Sequence, residues 1–246
     1  MKSKKTVYLF ALLCVTAFFT ISCGKTHRGN GVLTSREINI DDFDEVRISG
    51  STIFNYQQVD ADASPYLQFT IDENLMEYVD IYVKRRTLHI SLNDNLNLSY
   101  SPTKFVVDAN SFNLKNIHSS GSAKINLLSD ITTDRLEFEF SGSGSVTGNK
   151  PIIVNTLSIK SSGSSKASFH GEAQNCTLNI SGSGNIIAPN FSTHHLKCSI
   201  SGSGNVEMHV TESINCTISG SGTLTYSGNP TITQKISGSG RIVRKN

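Results

Sequence analysis

The motif Ser-Gly-Ser stands at eight places in this chain, and the last seven recur at a nearly constant interval. Their first glycines are Gly50, Gly121, Gly142, Gly163, Gly182, Gly202, Gly220 and Gly238; from Gly121 onward the steps are 21, 21, 19, 20, 18 and 18 residues. A repeat of this length indicates a stacked array of similar units. A unit of about twenty residues is too small to bury a core alone, so neighbouring units must pack together.

The residues around the glycines alternate between apolar and polar, which distinguishes the repeats from a flexible Gly-Ser linker. Apolar side chains occupy the second, fourth and sixth places before several glycines, and the fourth place after each. Examples are Leu136, Phe138 and Phe140 before Gly142, and Leu196, Cys198 and Ile200 before Gly202. Alternation with a period of two on both sides of a tight turn predicts β-strands with one dry face and one wet face.

We therefore expect an all-β fold, a parallel β-helix of about twenty residues per coil, which we take to be right-handed. The first glycine of each motif would form the corner and have positive φ, which glycine tolerates best. The second is replaced by Thr52, Ala123 and Ser165 in three copies, so it should have ordinary backbone angles. A transmembrane barrel is disfavoured because charged residues such as Glu137 and Lys160 point outward. An antiparallel meander would favour Asn-Gly or Asp-Gly hairpins, which the repeats lack.

The N-terminus has the pattern of a secretory signal peptide over residues 1–22, with lysines before an apolar run that is too short to span a membrane. Its end resembles a bacterial lipoprotein signal, which implies lipidation at Cys23. Residues 23–34 are then predicted to be a lipid-anchored tether. Gly24 resembles the residue that follows the lipidated cysteine in lipoproteins sorted to the outer membrane, facing either the periplasm or the exterior. Residues 35–246 form the predicted β-helix domain, with an irregular leading part (35–115) and regular coils (116–246).

The leading part is also rich in strand patterns, at residues 66–71, 79–84 and 88–92, with a short helical turn at 72–77. It could form looser coils or cap the end of the stack. The order Ile48-Ser-Gly-Ser, Asp72-Glu-Asn-Leu, Thr87–Leu92 and then tandem Ser-Gly-Ser-Gly coils resembles one known family. This is the putative auto-transporter adhesin, head GIN domain family, and the resemblance covers residues 35–246. It implies a β-helix without lyase catalytic residues and a role in adhesion.

Charge and cysteines narrow the class of function. Without the signal peptide, 19 basic and 20 acidic residues remain, dispersed along the chain, so nucleic acid is not an expected partner. Cys176, Cys198 and Cys216 occupy inward positions. Cys198 and Cys216 share one register in adjacent coils, but straight stacking should hold them slightly too far apart for a disulfide, so free thiols are expected.

The repeats contain no evident catalytic motif. The outward row before the corners has Glu137 and Glu139 in one coil only, and we expect Glu139 to pair with Lys160 on the next coil. His194 and His195 are adjacent, so on a regular strand they would point to opposite faces rather than bind one metal. We therefore predict a non-enzymatic protein without cofactor or metal. A carbohydrate-active β-helix enzyme, such as a polysaccharide lyase or hydrolase, is the alternative.

The function expected from the architecture is that of a binding or adhesion scaffold attached to the membrane through its N-terminal lipid, with a host surface, matrix or glycan ligand. Contact loops are predicted opposite the glycine corners, at residues 148–155, 171–175, 189–195 and 227–231. Any aromatic stacking site should involve the tyrosines of the irregular part, although they could instead fill its core: Tyr56, Tyr66, Tyr78, Tyr82 and Tyr100. A third possibility is an envelope protein that self-assembles into homo-oligomers, because the last coil ends without a capping helix.

Overall fold

A computed structural model describes residues 26–93 and 99–245, and the predicted signal peptide and Cys23 lie outside them. The described residues are 65% strand and form a parallel β-solenoid of about 6 turns. The leading part contains β1 (Thr26–Arg28), β2 (Leu33–Ile38), β3 (Glu45–Ile48), β4 (Ile53–Gln58), β5 (Leu67–Asp72), a 3-10 helix (Glu73–Tyr78), β6 (Val79–Lys84), β7 (Thr87–Leu92), β8 (Ser99–Ser101) and β9 (Val106–Ser111).

The regular part contains β10 (Asn116–Ser119), β11 (Lys124–Leu127), β12 (Ile131–Phe140), β13 (Ser145–Gly148), β14 (Ile152–Ser161), β15 (Lys166–Ser168), β16 (Gly171–Ile180), β17 (Asn185–Ile200), β18 (Asn205–Gly220), β19 (Thr223–Ser227), β20 (Thr231–Gly238) and β21 (Arg241–Arg244).

The strands of the regular part form three faces of a prism. The first face consists of the segments before each glycine corner, such as residues 135–140 of β12 over residues 156–161 of β14. The second face follows the corner, with β11 over β13 and β13 over β15. The third face comes from the starts of the long strands, such as residues 131–133 over 152–154. All of these pairings are parallel, which confirms the predicted solenoid.

The interior is a set of columns in which equivalent apolar residues of successive coils lie next to each other. In one column Phe138 pairs in register with Ile159, then Leu178, Cys198 and Cys216. All five side chains are buried. The alternation in the sequence therefore identified the buried residues correctly, since in a strand every second side chain points to the same face.

The corner glycines are required chiefly by close approach of the backbones. A Cβ atom built on Gly182 would lie 2.4 Å from the carbonyl oxygen of Gly163, and one on Gly202 would lie 2.3 Å from that of Gly182. The prediction of positive φ at every corner is wrong. The φ angle is +89° at Gly50 and +106° at Gly238, and it is nearly extended, at +158°, at Gly220. It is not positive at the other five corner glycines, which are Gly121, Gly142, Gly163, Gly182 and Gly202. The second glycines have no positive φ, as expected.

The leading end of the stack is closed by antiparallel strands. On the first face, β7 pairs in parallel with β3, and β6 then pairs antiparallel with β7. On the second face, β9 pairs in parallel with β4, β5 antiparallel with β9, and β2 antiparallel with β5. The sequence left two possibilities for the leading part, looser coils or a cap, and these outer strands form a cap. The cap covers the outer edges of β7 and β9, while β6 and β2, which each pair with one described strand, form the new outer edges.

Part of the segment predicted to be a tether is folded onto this cap. Within residues 23–34, β1 pairs with β8 and the first residues of β2 pair with β5. The buried carboxylate of Asp72 explains the attachment, since it accepts hydrogen bonds from the backbone N–H of Gly31 (2.8 Å) and of Thr103 (2.8 Å) and from the Thr103 hydroxyl (2.7 Å). Asp72 thus fastens the N-terminal segment and the β8–β9 loop to one point.

The hydrogen bonds also set the ionisation of Asp72. Burial alone would raise the pKa of this carboxyl, but the hydrogen bonds from Thr103 and Gly31 lower it below the ordinary value. Asp72 is therefore a carboxylate at neutral pH.

The trailing end differs from the leading end in having only parallel strands among the described residues. Its last coil consists of β20 and β21. Among the described residues, β20 pairs only with β18 and β21 only with β19. Ile236 and Val243 are 39% and 40% exposed there. The structure therefore has an open edge at this end.

We predict that Gly182→Ala destabilises the fold, because the new methyl group would press on the carbonyl of Gly163, which already accepts a hydrogen bond from the N–H of Ser183 (3.1 Å). Overpacking of this kind costs about 1–3 kcal/mol. Urea unfolding measures the loss. The matched control is Ser183→Ala, since Ser183 is exposed and should change the free energy of unfolding by less than about 0.5 kcal/mol. Equal stability of the two variants would contradict the corner model.

We also predict that Asp72→Asn lowers the urea midpoint at pH 7. In the variant, the amide nitrogen would face an N–H group of Gly31 or Thr103, which in the wild type donates to a carboxylate oxygen. The folded-state pKa of Asp72 is lowered, so its contribution to stability is present above the ordinary value of 3.8 and is lost as the pH falls through the folded-state value. The difference in urea midpoint between wild type and variant should therefore narrow below pH 3.8. A gap that stays constant down to pH 2 would refute this role of Asp72.

Candidate functional site: the outward face of the leading coils

The loops predicted opposite the glycine corners are in part strands. Residues 171–175 lie within β16, and residues 189–195 lie within β17. The third face of the prism accounts for this difference, because residues 171–173 pair with 152–154 on one side and with 191–193 on the other. Residues 148–155 and 227–231 retain short turns between strands. The regular coils therefore offer flat walls rather than long loops.

The outward charges of the first regular coils pair with each other, though not as the sequence predicted. Lys160 contacts Glu137 at 2.5 Å, not Glu139, and Arg135 contacts the same carboxylate at 2.8 Å. Burial would raise the pKa of Glu137, but Lys160 and Arg135 lower it below the usual value. Glu139 instead lies 3.4 Å from the Nδ1 atom of His118. The more buried carboxylate attracts both cations because it has fewer water molecules to solvate it.

The prediction that His194 and His195 point to opposite faces is wrong. The Nδ1 atom of His194 and the Nε2 atom of His195 both lie 3.5 Å from oxygens of Glu212. The pairing of β17 with β18 shifts register between Thr193 and His195, and this irregularity turns both rings toward the same carboxylate. Within residues 26–93 and 99–245, no group of three or more His, Cys, Asp or Glu side chains is arranged to hold a metal ion.

The three described cysteines are free thiols buried in the core: Cys176, Cys198 and Cys216. Cys198 and Cys216 are neighbours in register, as predicted. Burial raises the pKa of Cys176 well above its ordinary value, so this thiol is unreactive. These residues form part of the packing and not part of a site.

The tyrosines of the leading part divide between core and surface. Tyr56 is fully buried and donates a hydrogen bond to the backbone carbonyl of Ser111 (3.1 Å), while Tyr78 and Tyr100 are half-buried, with ring centroids 5.0 Å apart. Tyr66 and Tyr82 are exposed, at 37% and 42%. The core position expected as one possibility is confirmed for Tyr56, whereas Tyr66 and Tyr82 remain accessible on the surface.

Tyr82 belongs to a shallow groove on the first face, which we call the Tyr82 groove. Its volume is about 200 Å³, and its walls are formed by Arg47, Ile48, Ser49, Tyr82, His89, Ile90, Ser91, His118 and Ser120. The rings of Tyr82 and His89 are stacked, with centroids 4.7 Å apart and planes at 11°. Register places His89 beside Arg47, and Arg47 beside His118, on successive strands β7, β3 and β10.

The electrostatics of the Tyr82 groove favour a neutral ring beside a fixed cation. Burial, together with the positive charges of Arg47 and Lys84, lowers the pKa of His89 below its ordinary value. The imidazole is therefore uncharged at neutral pH and stacks on Tyr82 as an aromatic surface. Arg47 is exposed and supplies a planar donor beside it. Such a platform can stack on the face of a sugar or an aromatic group and hold an adjacent acceptor.

Sequence reasoning identified Tyr82 but missed the groove. His89, Arg47 and His118 come from three strands separated by up to 71 positions, and Tyr82 reaches them only because β6 turns back antiparallel on β7. The sequence signal was present in the alternation of residues 79–84 and 87–92 around Arg85-Arg86. Both arginines have positive φ, at 52° and 62°, as the central residues of a tight hairpin do.

Comparison with known proteins gives consistent results. A model of the family described as putative auto-transporter adhesin, head GIN domain, matches residues 42–230. A solved structure from Parabacteroides distasonis, titled a putative lipid binding protein, is 31% identical, with a TM-score of 0.75 and coverage of 90% of this chain and 100% of its own. A putative adhesin from Bacteroides fragilis is 26% identical, with a TM-score of 0.81 and coverage of 89% and 99%.

A search of curated proteins finds no match. Across the described residues, no helix is long and apolar enough to cross a membrane. The family model spans the cap strands β5 and β6 but not β2, and it covers the corner glycines from Gly50 to Gly220 and the regular coils through β19. It therefore includes the Tyr82 groove. The chain therefore belongs to the putative auto-transporter adhesin, head GIN domain family.

Proposed function

We propose that this protein is a non-enzymatic binding scaffold of the cell envelope that attaches to a host surface, matrix protein or glycan. The observation that carries the proposal is the Tyr82 groove, where the exposed ring of Tyr82 stacks on the half-buried ring of His89 next to the exposed guanidinium of Arg47. Exposed aromatic and arginine side chains dominate the energetics of many binding surfaces. The names of the related structures, which are adhesins and a lipid binding protein, support binding rather than catalysis.

The rigidity of the groove favours binding. Arg47, His89 and His118 project from parallel strands of the stack, and Tyr82 projects from β6, which pairs antiparallel with β7. The strand pairing holds these side chains in place, so little conformational entropy is lost when a partner binds. The exposed ring of Tyr82 adds contact area at low entropic cost, because it has only two side-chain torsions.

The ionisation of the outward carboxylates disfavours the alternative of a polysaccharide-cleaving enzyme. A general acid needs a pKa near the working pH. The pKa of Glu137 is instead lowered, and its carboxylate is held by Lys160 and Arg135. Glu139 is in contact with His118. These charges stabilise the wall of the prism.

The proposed location is the outer membrane, with the protein anchored by a lipid on Cys23 after removal of residues 1–22. The first described strand, β1, begins at Thr26, three residues after Cys23, so the segment between the lipid and this strand would be very short. A short tether holds the leading end of the prism close to the membrane. The trailing end, with its open edge, would then project away from it.

We predict that Tyr82→Ala weakens binding of the purified protein to its targets, found by screening matrix proteins and glycan arrays, by at least about tenfold. Removing a central aromatic contact typically costs more than 1 kcal/mol, and 1.4 kcal/mol corresponds to a factor of ten. The matched control is Tyr66→Ala, which removes the other exposed tyrosine of the leading part. Equal affinities of both variants would show that the Tyr82 groove is not the binding site. Turnover of a polyuronate by the same preparation would overturn the non-enzymatic proposal.

We also predict that Cys23→Ala prevents membrane attachment. Fractionation of cells followed by detergent phase partition should place the wild-type protein with the membranes and the variant in the aqueous phase, because the acyl chains supply the anchoring free energy. The control is Cys176→Ala, which removes a thiol from the core but leaves Cys23 in place. Retention of the Cys23→Ala protein in the detergent phase would contradict lipid anchoring at this residue.

A further inference from the structure

A second groove lies on the other side of the first glycine corner, and we call it the Tyr100 groove. It runs between the corner at residues 49–53 and the segment 100–105. Its two lobes have volumes of about 350 Å³ and 270 Å³ and share Ser51, Tyr100, Pro102 and Phe105. The larger lobe is completed by Thr52, Ile53, Ser101, Thr103, Lys104, Ser122 and Lys124, and the smaller by Ser49, Gly50 and Leu92.

Two hydroxyl groups at the Tyr100 groove have no partner. The Oγ1 atom of Thr52, a residue that is 2% exposed, and the hydroxyl of Tyr100 are buried without a hydrogen bond to any described residue. An unsatisfied buried polar group costs about 1–3 kcal/mol, so native proteins keep few of them. Thr52 stands where five other copies of the repeat have glycine, and the repeat itself therefore does not require its hydroxyl. A polar ligand in the groove would supply the missing partners.

The charge of the Tyr100 groove has a single sign. Lys104 and Lys124 are both exposed on its wall, and among the described residues no acidic side chain lines either lobe. Neither lysine belongs to an ion pair with a described residue, whereas Lys115, Lys160 and Lys245 each contact a carboxylate. Two unpaired ammonium groups on one wall would repel each other and attract an anion.

The walls of the Tyr100 groove are held firmly. The N–H of Lys124 donates to the carbonyl of Thr52 (2.8 Å), and the N–H of Ile53 donates to the carbonyl of Phe105 (2.9 Å). Asp72 holds Thr103 through two hydrogen bonds. The Tyr100 ring packs against Tyr78, so its position is also fixed. A ligand would therefore meet a preformed arrangement of hydroxyl groups and cations.

We infer that the Tyr100 groove binds an acidic saccharide unit. Its carboxylate or sulfate group would lie between Lys104 and Lys124. Its hydroxyls would exchange hydrogen bonds with the hydroxyls of Thr52, Ser51 and Ser122. The density of hydroxyl groups favours a sugar over a phospholipid, because among the described residues the walls offer few apolar contacts: Leu92, Pro102, Phe105, Ile53 and the ring of Tyr100.

This site lies outside the Tyr82 groove, although the two meet at Ser49, and it can bind whether or not the Tyr82 groove does. A single saccharide chain would contact both the Tyr82 groove and the Tyr100 groove only by wrapping around the Gly50 corner.

The test is calorimetric titration of the purified protein with sulfated heparin octasaccharide, oligogalacturonate and neutral maltooligosaccharide at low ionic strength. We expect the two anionic sugars to bind and the neutral one not to bind. The double variant Lys104→Gln, Lys124→Gln should bind the anionic sugars at least about tenfold more weakly. Thr52→Val, which keeps the shape of the side chain but removes the orphan hydroxyl, should weaken binding about three- to tenfold while leaving the fold at least as stable.

The matched control is the double variant Lys150→Gln, Lys197→Gln, which removes the same charge from exposed positions elsewhere. Its affinity should stay within about twofold of wild type. Equal weakening in both double variants would show unspecific charge attraction and overturn the inference. So would the absence of binding, or binding to vesicles of phosphatidylglycerol and phosphatidylcholine without binding to the anionic sugars. If Tyr82→Ala retains this binding while the lysine variant loses it, the two grooves are separate sites.

Discussion

The whole structure depends on the contact of one corner glycine with the carbonyl of the glycine below it. In five steps of the stack, the N–H of the serine after a corner glycine donates to the carbonyl of the preceding corner glycine at 3.0–3.1 Å. A Cβ atom at these five glycines would lie 2.1–2.6 Å from the same oxygen. The corner therefore satisfies its own backbone groups only when no side chain separates successive coils. Once the corners are fixed, the register of all three faces follows, and the interior columns align.

This constraint explains how much of the fold could be predicted from the sequence. The period located the corners, and the alternation around it identified Phe138, Leu178 and Cys216 as members of one buried column, which the register confirms. The need for glycine at the corners was attributed to the wrong cause. We expected positive φ, but the requirement at Gly142 or Gly182 is space for the neighbouring carbonyl, and a sequence cannot distinguish these two demands on glycine. The third face was missed because its residues, such as 171–173, have no repeated motif of their own.

The candidate sites were less predictable, since they depend on contacts without a repeat. The Glu139–Lys160 pair was expected from register alone, yet Lys160 reaches diagonally to Glu137, where burial strengthens the attraction. His194 and His195 share Glu212 because of a local shift in strand pairing that no residue pattern signals. The Tyr82 groove requires the hairpin between β6 and β7, and the Tyr100 groove requires Asp72 to hold the segment at Thr103. Each depends on an antiparallel or irregular contact that the period does not encode.

The same constraint gives a physical reason for the position of both grooves at the leading end. In the regular coils, each outward side chain lies about 4.8 Å from its equivalents above and below, so large or like-charged groups in one row would crowd or repel each other. Small polar residues such as Asn179, Ser199 and Thr217 occupy the first-face row there. The leading strands break the repeat, because β6 and β5 run antiparallel and the 100–105 segment crosses the corner. Aromatic rings and unpaired cations can therefore gather at Tyr82 and Tyr100, where the repeat no longer dictates the neighbours. The regular coils thus set the height and stiffness of the molecule, whereas both grooves lie where the cap meets the first coils.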